Sequence, residues 1–123
     1  MSISFTILLM IFCHIVDDYY LQGWLASAKQ KSWWYKNYPG SLYKHDYIWA
    51  LLMHSFSWSF MIMLPIAFLN HFAADSIFVV VFAINVLVHM YTDNMKANFK
   101  LINLWQDQII HLLQILITAY VLL

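Results

Sequence analysis

The chain has 123 residues, of which 63% are hydrophobic and only 10% are charged, and its formal net charge is zero. Soluble domains carry about 25% charged residues, so this composition excludes an ordinary water-soluble globule and favours a protein embedded in lipid. The six basic residues are all Lys and form no continuous stripe, which excludes a surface that binds nucleic acid.

Four apolar segments predict four transmembrane helices in a single domain that spans residues 1–123. The predicted helices cover residues 3–28, 47–69, 77–97 and 105–123. The polar, aromatic stretch after the first helix contains Pro39 and Gly40 and is expected to be a loop with a turn. Pro65 is expected to kink the second helix without ending it. The predicted fold class is all-α, an integral membrane four-helix transmembrane bundle.

The Lys residues are distributed asymmetrically and predict the orientation in the membrane. They lie only in or beside the first and third connections: Lys29, Lys31, Lys36, Lys44, Lys96 and Lys100. Neither terminus carries Lys or Arg, and neither does the connection between the second and third helices. The positive-inside rule therefore predicts a protein of the cytoplasmic (inner) membrane, with both termini outside and the Lys-bearing loops in the cytoplasm.

Ionisable residues inside the predicted spans indicate a functional site, because each costs at least about 2.5 kcal/mol in hydrocarbon. Four His residues share one depth, roughly 10–18 Å from the cytoplasmic ends of their helices at the α-helical rise. Three Asp residues lie closer to the cytoplasm. The set consists of His14, Asp18, His54, His89, Asp93, Asp107 and His111.

The spacing of these residues predicts that they face one another. Three pairs are separated by four residues, which places both members on one helix face: His14–Asp18, His89–Asp93 and Asp107–His111. Because the fourth helix runs opposite to the first and third, the Asp of each pair lies nearer the cytoplasm. Seven nitrogen and oxygen donors in a bundle interior predict one or two divalent metal ions. Imidazole and carboxylate without thiolate favour Zn, with Mn or Fe as alternatives.

Four further polar residues are predicted to support this site. Lys96 and Asp17 are predicted catalytic groups, with Lys96 holding an anion or stabilising charge that develops in the transition state. Gln22 and Gln108 are predicted to orient the bound cofactor or its ligands. The structural alternatives are that Lys96 only extends to the membrane interface and that each His–Asp pair only joins helices.

The stretch His14-Ile-Val-Asp-Asp18-Tyr-Tyr-Leu-Gln22 resembles the opening signature of a small family of bacterial and phage membrane proteins that form a domain of unknown function. Later parts of the chain are similar to the same family at His54, at His89-x3-Asp93-x2-Lys96 and at Asp107-Gln108-x2-His111. The resemblance covers nearly the whole chain and implies a relationship to membrane-bound metal-dependent hydrolases. The absence of Arg and Glu and the aromatic first loop depart from the family pattern.

Three functions are compatible with this pattern. The first is an intramembrane metal-dependent hydrolase that opens to the cytoplasm and acts on a lipid-linked ester or a phosphoester. The second is a divalent-cation carrier or sensor, and the third is an accessory membrane protein in which the polar cluster only determines packing. The expected partners are the lipid bilayer and a lipid or phosphoester substrate, with a homo-oligomer as a further expectation and no nucleic acid.

Overall fold

The computed structural model describes all 123 residues and consists of helices joined by short connections, without β-strands. It contains six α-helices: α1 (Ile3–Val16), α2 (Leu25–Ala28), α3 (Lys31–Asn37), α4 (Asp46–Leu69), α5 (Ser76–Asn94) and α6 (Leu104–Leu122). A π-helical segment extends α1 over Asp17–Leu21, and a second extends α5 over Met95–Phe99. A short 3₁₀ turn covers Ser41–Tyr43. The prediction of an all-α protein is therefore confirmed.

Three helical segments are long and apolar enough to cross a membrane, judged by length and composition: Ile3–Leu21, Ser41–Leu69 and Ser76–Phe99. They correspond to the first three predicted spans. The fourth predicted span is α6, whose mean hydropathy is lowered by polar residues that include Asp107, His111 and Gln114. A membrane crossing by α6 stays a prediction.

The first predicted helix is too long at its carboxyl end. Its regular part ends with the π-helical segment at Leu21, and Gly23 then adopts a left-handed backbone conformation with φ of 53°. A residue in this conformation cannot continue a right-handed helix, and Gly adopts it without the steric cost that a Cβ would add. The chain therefore turns before α2.

The first connection is more ordered than the sequence predicts, because it contains α3 and the 3₁₀ turn as well as a loop. The Trp34 indole donates a hydrogen bond to the Ala28 carbonyl at 2.6 Å, which fixes α3 against the end of α2. Trp33 and Trp34 also pack edge-on with their ring centroids 5.1 Å apart. Local periodicity over such a short polar segment gives no signal for these contacts.

The other predicted helices match closely. Helices α4, α5 and α6 each begin one residue before the predicted start, and Pro65 lies inside α4, which continues to Leu69. Helix α4 packs against α1 and α5, and α6 packs against α1, α4 and α5. Apolar residues form a core at the end of these helices that is distant from the Lys-bearing connections: Met10, Trp58, Ile62, Met63, Ile66, Ile115 and Ala119.

Candidate metal centre

Four His side chains converge between α1, α4, α5 and α6, at the end of the apolar core that faces the Lys-bearing connections. All four, His14, His54, His89 and His111, are at most 2% exposed. The ring centroids of His54 and His89 lie 5.1 Å apart, and those of His89 and His111 lie 4.2 Å apart. The structure therefore brings together the His residues that the sequence places at a single depth.

A first group of ligand atoms comes from Asp18, His54 and His89, and these atoms lie within 4.8 Å of one another. The Nε2 atom of His54 is 3.2 Å from His89 Nε2 and 3.2 Å from Asp18 Oδ1. An ion bound at about 2.0–2.2 Å from tetrahedral ligands separates those ligands by about 3.3–3.6 Å. The observed spacing is close to that value, so this group could hold a metal ion.

A second group comes from His89, Asp93 and His111, which are all buried. The Asp93 carboxylate lies between the two groups, because its Oδ2 atom is 3.3 Å from His54 Nε2 and its Oδ1 atom is 3.4 Å from His111 Nε2. Asp107 approaches from α6, with its Oδ1 atom 3.3 Å from His111 Nε2. The two groups share His89 and are connected by Asp93, so they form one continuous cluster.

The cluster contains buried polar atoms without hydrogen-bond partners. Both ring nitrogens of His111 lack one, as do His89 Nδ1 and Asp107 Oδ1. The nearby carboxylate oxygens do not align with His111 Nε2 for a hydrogen bond. A buried unsatisfied polar atom costs about 1–3 kcal/mol, so this set is unfavourable in the bare protein. A cation between His111 Nε2 and the carboxylates would satisfy several of these atoms together.

The formal charges of the cluster are unbalanced. It contains four carboxylates and two ammonium groups, which leaves a net charge of −2 with neutral His: Asp17, Asp18, Asp93, Asp107, Lys29 and Lys96. Burying uncompensated charge is expensive in a low dielectric. One divalent cation would neutralise the site.

Lys29 is a member of the cluster that the sequence analysis missed. Its ammonium group donates to Asp93 Oδ2 at 2.6 Å, and the residue is 7% exposed. Its backbone carbonyl accepts a hydrogen bond at 3.0 Å from the side chain of Asn98, which holds the turn against the end of α5. A lysine in a polar connection carries no periodic signal, and its inward position depends on how the chain turns after α1.

His14 lies beside the two groups of ligand atoms, but both of its ring nitrogens form hydrogen bonds with other residues. The Trp58 indole donates to His14 Nδ1 at 2.8 Å, so His14 Nε2 carries the proton of the neutral ring and donates to Gln108 Oε1 at 3.1 Å. His14 is in neither group of ligand atoms, and its role as a metal ligand stays a prediction. Trp58 was not singled out from the sequence, although it follows His54 by four residues and so shares its helix face.

The Trp58 ring also stacks on His89, with centroids 4.2 Å apart and planes inclined by 21°. His89 also packs against His111, with planes inclined by 27°, and the Trp58 and His111 centroids lie 5.3 Å apart. The three rings therefore form one packed group, which restricts the plane of the His89 imidazole. A ligand whose orientation is fixed before binding loses little entropy when a metal ion arrives.

The four predicted supporting residues occupy different positions. Gln108 accepts from His14 and donates to Asp107 Oδ2 at 3.1 Å, so it joins two of the predicted ligands. Lys96 donates to Asp107 Oδ2 at 2.5 Å and is the more exposed of the two cluster lysines. Gln22 donates at 2.8 Å to the backbone carbonyl of Asp18 and forms no hydrogen bond with a ligand side chain.

Asp17 lies on the Nδ1 side of the His54 ring, whereas the candidate metal ligands face its Nε2 atom. Its Oδ1 atom accepts a hydrogen bond from Ser57 at 2.5 Å, and its Oδ2 atom is 3.8 Å from His54 Nδ1. A carboxylate on this side of an imidazole favours the tautomer that leaves Nε2 free for a metal. The π-helical segment that begins at Asp17 contributes both Asp17 and Asp18 to the His54 environment, and such segments occur frequently at functional sites.

A family model described as "Protein of unknown function (DUF3307)" matches residues 5–123, a range that includes every residue of the cluster. No curated protein and no solved structure matches the chain. The expectation of a family of unknown function is therefore confirmed, whereas the relationship to hydrolases stays a prediction. The chain belongs to the DUF3307 family.

Proposed function

We propose that this protein is a metal-dependent hydrolase of the cytoplasmic membrane, with four membrane spans and a His/Asp site that opens to the cytoplasmic side. The convergence of His54, His89, Asp18, Asp93 and His111 at ligand-like spacing is the observation that supports it most directly. The resemblance of the four motifs to membrane-bound metal-dependent hydrolases agrees with this assignment.

The burial pattern of α6 supports a fourth membrane span. Its polar residues face inward, since Asp107, His111, Gln114 and Thr118 are at most 8% exposed. Its opposite face is apolar and open, with Ile117 at 63% exposure. At 19 residues the helix is about 28 Å long, close to the hydrocarbon thickness of about 30 Å. The mean hydropathy of α6 is therefore low because the side of the helix that faces inward is polar.

The charge and geometry of the cluster favour one divalent ion, with Zn as the first choice for mixed imidazole and carboxylate ligands. The ligands would be His54, His89, Asp18, Asp93 and His111, with His14 and Asp107 adjacent. A bound divalent ion would supply Lewis acidity toward an ester oxygen and would acidify a water molecule. Asp17 would orient His54 from behind.

Lys96 and Asp18 would face the substrate. The Lys96 side chain is 28% exposed and that of Asp18 is 10% exposed, whereas the side chains of Asp93 and Asp107 are almost completely buried. An ammonium group at the opening attracts an anionic ester, which favours a phosphoester or the headgroup of a lipid as the substrate. The shallow position on the cytoplasmic side is consistent with such a substrate.

Elemental analysis of the detergent-purified protein tests the metal site. We expect about one equivalent of Zn, Mn or Fe in the native protein and none in a variant that combines His89→Gln with Asp93→Asn. The control is His45→Gln, which makes the same change at an exposed His outside the cluster. A native protein that holds no metal and takes up none when it is added would refute the proposal.

Hydrolysis is tested separately on the metal-loaded protein. We expect release of phosphate or alcohol from a panel of phospholipids and soluble phosphoesters, and loss of this release in Lys96→Met at unchanged metal content. A metal-loaded protein that cleaves no member of the panel would contradict the hydrolase assignment, but it would not contradict the proposed metal site.

One observation favours a divalent-cation carrier as a second candidate. The sequence places no charge or His in the outer halves of the spans, but the structure shows a buried polar trio about one turn beyond the His cluster. Asn85 donates to Thr118 at 2.8 Å, and Gln114 donates to Asn85 at 2.9 Å. A carrier predicts that Asn85→Leu abolishes metal uptake into proteoliposomes and leaves metal binding unchanged, whereas an enzyme predicts no uptake at all.

A further inference from the structure

A cavity lies on the side of the Lys-bearing connections, outside the His/Asp cluster. It has a volume of about 590 Å³ and lies between α3, the 3₁₀ turn and the segment that joins α5 to α6. Three lysines from three different segments line it: Lys31, Lys44 and Lys100. We define these residues and the space between them as the lysine pocket.

The positive charge of the lysine pocket is not neutralised within the protein. The only ion pairs that involve lysine are those of Lys29 with Asp93 and Lys96 with Asp107. The Lys31 ammonium lies over the Tyr47 ring, 5.5 Å from its centroid, and this contact leaves its charge in place. Three unpaired cations around one cavity attract an anion that carries more than one negative charge.

The backbone at Lys100 has a conformation that Gly would adopt more easily than Lys. Lys100 adopts a left-handed conformation with φ of 57° at the end of the π-helical segment, a position that favours Gly. The next amide, that of Leu101, closes the turn by donating to the Met95 carbonyl at 3.0 Å. A Gly at position 100 would suit the backbone of this turn better, and a Lys there gains only the modest attraction of a cation to a helix carboxyl end.

The remaining walls of the pocket combine hydrogen-bonding and apolar groups. Ser32 and Ser41 contribute side-chain hydroxyl groups, and Asn98 forms part of the wall through its hydrogen bonds with Lys29, Lys31 and Asn94. Trp34 and Tyr43 contribute ring faces, which lie nearly parallel at 12° with centroids 6.4 Å apart. This composition suits a ligand that has a charged group next to an apolar portion. Phosphate is the biological anion that Lys and hydroxyl groups bind most commonly in this manner.

We propose that the lysine pocket binds the phosphate group of an anionic ligand at the cytoplasmic membrane interface, where lipid headgroups are concentrated. This site does not depend on a metal in the His/Asp cluster. It is connected to that cluster through Asn98, whose side chain donates to the Lys29 carbonyl, while the Lys29 ammonium donates to Asp93. A short chain of contacts therefore joins the pocket to the cluster.

The test uses the full chain in nanodiscs of zwitterionic phosphatidylcholine, titrated with pyrophosphate in the presence of a chelator that removes metal from the cluster. We expect saturable binding that weakens about tenfold in Lys44→Ala and in Lys100→Gly, the loss that one charge-assisted contact produces. Lys36→Ala is the matched control, because it removes the same charge from α3 but does not line the pocket. Lys100→Gly should unfold no earlier than the native protein, which separates a lost contact from a damaged fold.

The same titration in nanodiscs that contain phosphatidic acid identifies the source of the phosphate. Competition between the lipid and pyrophosphate assigns the pocket to a lipid headgroup, and undiminished pyrophosphate binding assigns it to a soluble phosphate compound. Absence of pyrophosphate binding in phosphatidylcholine would overturn the proposal. Equal weakening in Lys36→Ala would also overturn it, because the attraction would then be a property of the whole basic surface.

Discussion

The Nε2 atoms of His54 and His89 lie 3.2 Å apart, and His54 Nε2 also faces Asp18 Oδ1 at 3.2 Å and Asp93 Oδ2 at 3.3 Å. A neutral imidazole has one N–H group, and with that proton at Nδ1, toward Asp17, His54 Nε2 is itself an acceptor. Asp93 Oδ2 already accepts from Lys29, but His54 Nε2 and Asp18 Oδ1 still face each other as two acceptors in a largely buried space, which is unfavourable. A cation at this point replaces the missing donors, and this shortage is the physical basis for the metal proposal.

Lys29 is expected to compete with the metal for Asp93. In Lys29→Met the Asp93 carboxylate loses its ammonium partner, and breaking a buried pair costs about 3–5 kcal/mol of folding free energy. A metal ion that binds the native state would restore most of this loss. Thermal unfolding in detergent should therefore show a large destabilisation with chelator and a small one with Zn²⁺.

The control for Lys29 is Lys36→Met, which changes an exposed lysine and should be neutral in both conditions. If Lys29→Met were destabilised equally with chelator and with metal, Asp93 would not be a metal ligand.

Trp58 is expected to stabilise the cluster through its indole N–H as well as through its ring. Trp58→Phe keeps an aromatic ring against His89 but removes the donor to His14 Nδ1. The buried nitrogen loses its partner, so we expect a loss of about 1–3 kcal/mol in the free energy of unfolding. Trp49→Phe on the exposed face of the same helix is the matched control. Equal stability of the two variants would show that the indole hydrogen bond contributes nothing.

The sequence predicts the convergence of these His and Asp side chains because two regular features determine it. A separation of four residues places His89 and Asp93 on one face of a helix whatever surrounds it. The positive-inside rule then predicts which helix ends lie on the same side, and a constant rise per residue converts position into depth. Both features are properties of single helices and need no knowledge of packing.

The missed parts depend on tertiary contacts. Lys29 follows the turn at Gly23 and reaches Asp93 across the bundle, and α3 is held by the Trp34 hydrogen bond to the Ala28 carbonyl. The hydrogen bond between Trp58 and His14 joins two helices whose relative rotation no single-helix pattern specifies. A regular period of 3.6 residues also cannot predict where a π-helical segment begins and ends.

Gly23 is expected to be required for its backbone conformation. In Gly23→Ala the new Cβ meets nothing closer than the Leu21 carbonyl oxygen at 3.9 Å, so the cost comes from the positive φ alone. We expect a destabilisation of about 1 kcal/mol, measured by thermal unfolding. Gly40→Ala is the control, because Gly40 has an ordinary φ of −66° and its added Cβ would also stay 3.9 Å from the nearest atom. Comparable losses in both variants would argue against a special role for the turn at Gly23.

The proposed orientation predicts which connections a membrane-impermeant maleimide can reach. In a Cys13→Ala background, which removes the only native thiol, Asn70→Cys lies in the connection between α4 and α5 and should be labelled on intact spheroplasts. Lys36→Cys on α3 should be labelled only after the membrane is permeabilised. The reverse pattern would place the opening beside Lys96 on the outer side and contradict a cytoplasmic substrate. Labelling of both sites without permeabilisation would mean that the four long helices do not all cross the bilayer, which would remove the membrane basis of the proposed site.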